Sequence, residues 1–201
     1  MGLRPSFSVI IATYGDPSWR TLAERAARSV EEQSVQPDSL ILSHADTLHE
    51  ARNNPVKSLT SDWLVFLDAD DQLDYHYIKS MRDRSIEIGN EDFLIQPSTL
   101  GVQNGIEDDF PTFIPERDIQ LGNWMVIGTA VKRDTFLRAG GFPDLPCWED
   151  WALWAQCVHN GASTTIAPGA VYRVTVNKNS RNNPTRSDAA TAARFVRRIF
   201  Q

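Results

Sequence analysis

Two cysteines in 201 residues, Cys147 and Cys157, are too few and too badly spaced for a thiolate metal site. The sequence has no apolar leader core, so a reducing compartment, free thiols and a cytoplasmic location are expected. Gly2 and Ser6 match a myristoylation pattern in form, but a pattern this short arises readily by coincidence. No hydrophobic run is long enough to cross a bilayer, so no transmembrane segment is expected. There is no internal repeat, which excludes a solenoid. The hydrophobic share of 41% and the charged share of 23% are those of an ordinary globular chain, which excludes wholesale disorder and collagen-like architecture.

What is present is organised around Trp63-Leu64-Val65-Phe66-Leu67-Asp68-Ala69-Asp70-Asp71, an apolar run that ends in three carboxylates. The run is short enough for a buried strand and stops where the aspartates begin. The carboxylates therefore crowd at the C-terminal end of a strand, where ligands bind in open α/β sheets. Like charges this close raise one another's pKa unless a cation compensates them. A hard divalent metal, Mg²⁺ or Mn²⁺, suits carboxylate oxygens and often carries phosphate as its other ligand.

The remaining pattern reads as alternating strands and helices. Residues 7–14 form a β-branched apolar strand, and Asp16 and Pro17 are placed to open a helix with Trp19, Leu22, Ala26 and Val30 on one face. A second strand at 39–43 implies a right-handed parallel crossover, with Asp46 at the same sheet edge as Tyr14 and Asp70. A short helix over 48–53 precedes the central strand, and a helix follows it through Tyr77 or Ile78, Met81, Ser85 and Ile88 to Gly89. A fourth strand, 93–96, is expected to end at Pro97, and 125–131 regains strand character. Residues 98–123 lack periodicity, which fits either a functional loop or a small antiparallel excursion. Two strands at 164–167 and 171–176, and a closing helix with Ala190, Ala193, Val196 and Phe200 on one face, complete the chain.

Two acidic clusters carry the chemistry, Asp68 to Asp71 and the pair Glu149-Asp150. The pair opens a helix between tryptophans, so it reads either as catalytic or as first-turn acids that favour the helix dipole. Asp71 or Asp74 reads either as part of the site or as a cap for the next helix. Trp124, Trp148, Trp151 and Trp154 offer either a stacking face for a sugar or core packing. From 177 to 201 six Lys or Arg face one acid, a net +5 that leaves −11 on the rest of a chain totalling −6. That basic tail suits an anionic partner, and equally a solvated helix face.

Ser8 to Tyr14, then Ala51-Arg52-Asn53 before Leu67-Asp68-Ala69-Asp70-Asp71, then Gly140-Gly141-Phe142 before Glu149-Asp150-Trp151, stand in an order that resembles the family 2 glycosyltransferases of GT-A fold. The resemblance covers roughly 6–172. It implies a Rossmann-like, mostly parallel sheet flanked by helices, with a small antiparallel excursion. The expected catalytic domain is 1–176, with 177–201 a basic loop and helix packed on it. It implies a metal-dependent inverting enzyme that moves one sugar from a nucleoside-diphosphate sugar, UDP-linked by preference, to an acceptor on nucleic acid, protein, glycan or lipid. Thr13, Tyr14, Asp46, Arg52, Asp68 and Glu149 would then bind the sugar nucleotide. Asp70 would hold Mn²⁺ or Mg²⁺, and Asp150 would act as the general base. Where many members carry a histidine this chain has Thr175, and Arg173 is expected to help hold the diphosphate instead. A nucleotidyltransferase is the enzymatic alternative, although no Gly-rich phosphate loop bearing Lys or Arg follows the first strand. A non-catalytic sugar-nucleotide or glycan-binding module is the other.

Overall fold

The computed structural model describes residues 4–16, 18–103, 106–109, 114–123, 125–176 and 184–201. Readings that fall on Gly2, Pro17, Trp124, Lys178 and Arg181 lie outside the described residues. The elements are β1 (Phe7–Tyr14), α1 (Trp19–Glu31), β2 (Ser39–Ala45), α2 (Leu48–Val56), β3 (Trp63–Asp68), β4 (Gln72–Leu73) and α3 (Tyr77–Ile88). They continue with β5 (Phe93–Gln103), β6 (Ile106–Asp109), a single 3₁₀ turn (Glu116–Asp118), β7 (Ala130–Lys132), α4 (Arg133–Arg138), α5 (Glu149–His159), β8 (Ser163–Thr175) and α6 (Arg186–Ile199).

β1 lies between β2 and β3, parallel to both, with Ile10 opposite Ile41 and Phe66. Val9, Ile10, Ile11, Leu64, Val65 and Leu67 are fully buried, because helices cover the sheet and apolar side chains are required on both sides of these strands. The strand order is β2-β1-β3-β7-β5-β8-β4, with β6 paired to β5. The long pairings, β1 with β2 and β3 and β5 with β8, are parallel, whereas the short ones made by β4, β6 and β7 are antiparallel. The expected α/β class, mostly parallel with an antiparallel excursion, is thus what the chain forms.

Several boundaries differ from the sequence reading, each for a local reason. β5 does not stop at Pro97. It runs to Gln103 and shifts register against β8 between Pro97 and Ser98, since a bulge tolerates a residue with no N–H to give. Residues 100–103 pair antiparallel with residues 106–109, so the antiparallel alternative holds for that part. β7 keeps only Ala130 and Val131 of the strand expected over 125–131 and adds Lys132, because residues before it turn back on themselves, Thr129 N–H donating to the Val126 carbonyl at 3.1 Å. The two strands expected near the end are one, β8. On α1 the buried face is Ala23, Ala26, Ala27 and Val30, small residues that let the helix lie close to the sheet, while Trp19 and Leu22 stay more than a third exposed. α6 buries Ala192 and Val196 and packs on α5, with the Phe200 ring edge-on to His159 at 5.8 Å.

The link that positions the site is made between α2 and the turn before α5. Asn53 accepts the Phe142 N–H at 2.9 Å and donates to the Phe142 carbonyl at 2.8 Å, closing a two-bond clasp across the fold. The clasp needs glycine at 141: its φ is +74°, and a Cβ there would stand 2.7 Å from Asn53 Oδ1. Gly141→Ala is therefore expected to lose about 1–3 kcal/mol from backbone strain and the displaced clasp. Urea denaturation should show a lower midpoint at unchanged slope, and an unchanged midpoint would refute the clasp.

Candidate active site

The C-terminal ends of β1 and β3, the start of α2, the residues after the 3₁₀ turn and the N-terminus of α5 enclose one cavity of about 860 Å³. Thr13, Tyr14, Arg52, Asp68, Asp70, Asp71, Glu149 and Asp150 all line it. Strand geometry accounts for the first half of that set: β1 and β3 are in parallel register, with Ala12 opposite Asp68, so both strands end at one edge.

Arg52 is the centre of the arrangement. Its guanidinium is buried, donates from Nη2 to Asp68 Oδ1 at 2.6 Å and from Nη1 to Glu149 Oε1 at 2.5 Å, and lies over the Phe142 ring at 4.9 Å. Burial works against its charge, but Asp68, Glu149 and Asp150 more than offset that and hold its pKa above the ordinary arginine value. One α2 side chain thus joins the β3 acids to the α5 acids.

Asp68, Asp70 and Asp71 bring ligand oxygens within 4.8 Å of one another, a spacing and donor type that fit a hard divalent cation. Their environments differ. Asp68 gives one oxygen to Arg52. Burial first, then Asp68, raises the Asp70 pKa, against its own backbone N–H and the nearby Arg25. Asp71 is buried with both oxygens engaged, Oδ2 by the Tyr172 hydroxyl at 2.9 Å and Oδ1 by the Thr175 N–H at 2.7 Å. Burial, Asp68 and Asp70 push its pKa well above the usual carboxylate range. Asp68 and Asp70 are therefore the residues with oxygens to spare for a metal.

Capping is only part of what the acids at the start of α5 do, since both stand in its first turn and Asp150 also accepts a first-turn N–H. The residue before the helix is Trp148, which makes no side-chain cap bond, and Glu149 is committed to Arg52. Trp148 has φ +54°, the single left-handed non-glycine among the described residues. Asp150 Oδ1 accepts the Trp151 N–H at 2.8 Å and Asn123 Nδ2 at 3.4 Å. Burial, and then Glu149, raise the Asp150 pKa to about 7, opposed by Arg52 and the Trp151 N–H and aided by Asp68.

Other expected residues fall elsewhere. Asp46 sits in an adjoining pocket of about 250 Å³ that shares Tyr14, Leu48 and Glu149 with the main cavity. Thr13 Oγ1 is 3.0 Å from His44 Nδ1 and lines the main cavity. Arg173 does not line it: alternation along β8 buries Tyr172, and the Arg173 guanidinium pairs with Glu107 and with Asp74 at 3.6 Å. Sequence reading missed Asn123, whose loop is tied to α5 by the Trp151 indole N–H donating to the Ile119 carbonyl. It also missed Arg197, which reaches the cavity wall from α6, so the basic tail is more than a solvated face. Neither stands in a motif that a linear reading would single out. Trp148 and Trp151 line the cavity, with rings edge-to-face at 6.0 Å, while Trp154 is core.

The fold so built, a mixed α/β sheet flanked by helices, is shared with solved structures. The solved structures that carry the likeness are of S. aureus TarS. Residues 1–349 of TarS in complex with UDP-GlcNAc match at TM-score 0.72 and 16% identity, over 96% of this chain and 66% of that one. The UDP complex matches at 0.69 and 16%, over 96% and 65%. A longer TarS structure matches at 0.65 and 18%, over 85% and 37%, so this chain spans about a third of that TarS structure. No family model matches the sequence, and no curated protein does.

Replacing Arg52 by Met would leave Glu149 buried without its cation. Arg52→Met is expected to cost about 3–5 kcal/mol, the scale of a broken buried ion pair. It should also drive the Asp150 pKa above 7, since an opposing cation is removed. Equilibrium unfolding and carbonyl-resolved titration by NMR check the two effects.

Proposed function

We propose that this chain is a metal-dependent glycosyltransferase that moves a sugar from a nucleoside-diphosphate sugar to an acceptor hydroxyl with inversion. One observation carries the reading: a cluster suited to a divalent cation and a carboxylate with pKa about 7 line the same cavity. The fold supports it, since TarS of the same fold is solved with UDP-GlcNAc and with UDP. No helix among the described residues is long and apolar enough to cross a membrane.

Asp68 and Asp70 would hold Mn²⁺ or Mg²⁺, which when bound offsets the charge that grows on the leaving diphosphate. Thr13 and Tyr14 provide the wall at the end of β1 for the nucleoside, with the Asp46 pocket beside them. Arg52 does not meet the diphosphate by itself. Both ends of its guanidinium are engaged, so its role is to fix Asp68 and Glu149. Asp150 Oδ1 is held by Trp151 and Asn123, which leaves Oδ2 to take the acceptor proton. The acceptor oxygen bonds to the anomeric carbon from the face opposite the diphosphate, the bond to the diphosphate oxygen breaks with its electron pair, and the configuration inverts. Trp148 in the cavity wall suits stacking of an apolar sugar face.

Three measurements test this. UDP or UDP-GlcNAc with Mn²⁺ is expected to raise the melting temperature, and no nucleoside diphosphate doing so would remove the donor reading. Release of UDP from UDP-GlcNAc, with water standing in for the acceptor, is expected to fall about 10²–10⁴-fold in Asp150→Asn while UDP binding persists. The pH profile follows from the sign of the shift. Asp150 serves as a base only when ionised, so the rate should climb as pH rises through about 7. A flat profile, or a fully active Asp150→Asn, would refute Asp150 as the base, whereas a wild type that binds UDP and releases none from UDP-GlcNAc would leave the binding-module alternative in its place.

A further inference from the structure

Asp71 stands in the acidic triad, yet its surroundings are those of a brace. Its carboxylate is buried, Oδ2 accepts the Tyr172 O–H at 2.9 Å, and Oδ1 accepts the Thr175 N–H at 2.7 Å. The same Tyr172 oxygen accepts the Asp68 N–H at 3.2 Å. One phenol therefore fastens both ends of the Asp68–Asp71 turn to β8. The turn is fastened again through the Asp70 carbonyl, which accepts from Thr175 Oγ1 and from Arg25 Nη2 at 2.6 Å. β4 then continues the attachment by pairing with β8, Leu73 opposite Tyr172.

The ring has nowhere else to go. Tyr172 is fully buried, and a Cβ on Gly128 would lie 2.1 Å from its Cδ2. Gly128 is thus the residue whose lack of a side chain makes room for the ring, and the residue next along the strand from Arg173 is the one that reaches the acids. A hydroxyl that is both donor and acceptor is needed here, because it meets a carboxylate on one side and an N–H on the other.

We infer that Tyr172, acting through Asp71 and the Asp68 N–H, is the positioning residue that presents Asp68 and Asp70 to the metal, and that Asp71 supports the site without ligating it. The inference rests on the metal-binding reading proposed above. Partners of this kind around a metal site are worth about 10–100-fold in metal affinity.

The test is Mn²⁺ binding by calorimetry in the presence of UDP, on wild type, Tyr172→Phe, Asp71→Asn and the double variant, with UDP binding without metal as a control. Tyr172→Phe is expected to weaken Mn²⁺ about tenfold or more while metal-free UDP binding is unchanged. The double variant should be no worse than the more severe single one, as residues acting as one unit require. Should Tyr172→Phe fold poorly, Asp71→Asn carries the same expectation, a modest loss in place of abolition. Tyr172→Phe binding Mn²⁺ as wild type does, or Asp71→Asn abolishing binding with Tyr172→Phe harmless, overturns the brace and leaves the metal site standing. A wild type that binds no Mn²⁺ overturns both.

Discussion

The buried guanidinium of Arg52 is the constraint on which the site depends. It is a costly choice, because removing an arginine from water costs several kcal/mol that one carboxylate seldom returns. The chain meets that cost with two carboxylates and an aromatic face, Asp68 at 2.6 Å, Glu149 at 2.5 Å and Phe142 beneath. Each partner comes from a different part of the sequence, so the pair can form only when α2, β3 and the α5 entry are all in place. Asn53, next along α2, clasps the backbone of Phe142 and secures the same junction through neutral hydrogen bonds. The motif from Ala51 to Asp71 and the motif from Gly140 to Trp151 are thus one structural unit.

Charge balance around that unit explains the titration of its members. Asp68, Asp70, Asp71, Glu149 and Asp150 share the cavity wall with Arg52 and Arg197. Arg52 is spent on Asp68 and Glu149, and what remains is an excess of negative charge in a partly desolvated space. Burial and the neighbouring acids then raise Asp70, Asp71 and Asp150 together. Such an excess is tolerable in a site whose ligands bring cations. It also separates roles: Asp150, with one oxygen free and a pKa near neutrality, is suited to proton transfer, whereas Asp71, with both oxygens bound, is suited to holding shape.

The sequence shows the parts of this that are local. β1 and β3 are legible because uninterrupted apolar runs of strand length admit few other readings, and the α5 boundary is legible from its acids and from Asn160-Gly161. Long-range compensation hides the rest. Pro97 reads as a strand end until β8 is seen to shift register around it. Arg173 reads as a free cation until Glu107, on β6 paired antiparallel with β5, is seen to pair with it. Tyr172, the more consequential neighbour, is an unremarked aromatic in a strand, and nothing nearby in sequence indicates that Gly128 leaves room for its ring.

Trp148 shows how the fold sets the direction of the acids that matter. A left-handed tryptophan costs about 1–3 kcal/mol and persists only where the surroundings over-determine it. Here they do: the Asn53 clasp fixes the chain six residues earlier, and the Arg52–Glu149 pair fixes it one residue later. Held at both ends, the segment reverses sharply at Trp148 and starts α5 with Glu149 turned to the guanidinium and Asp150 to the cavity. The strain at Trp148 is therefore the local consequence of the same ion pair, and the orientation of Asp150 follows from it.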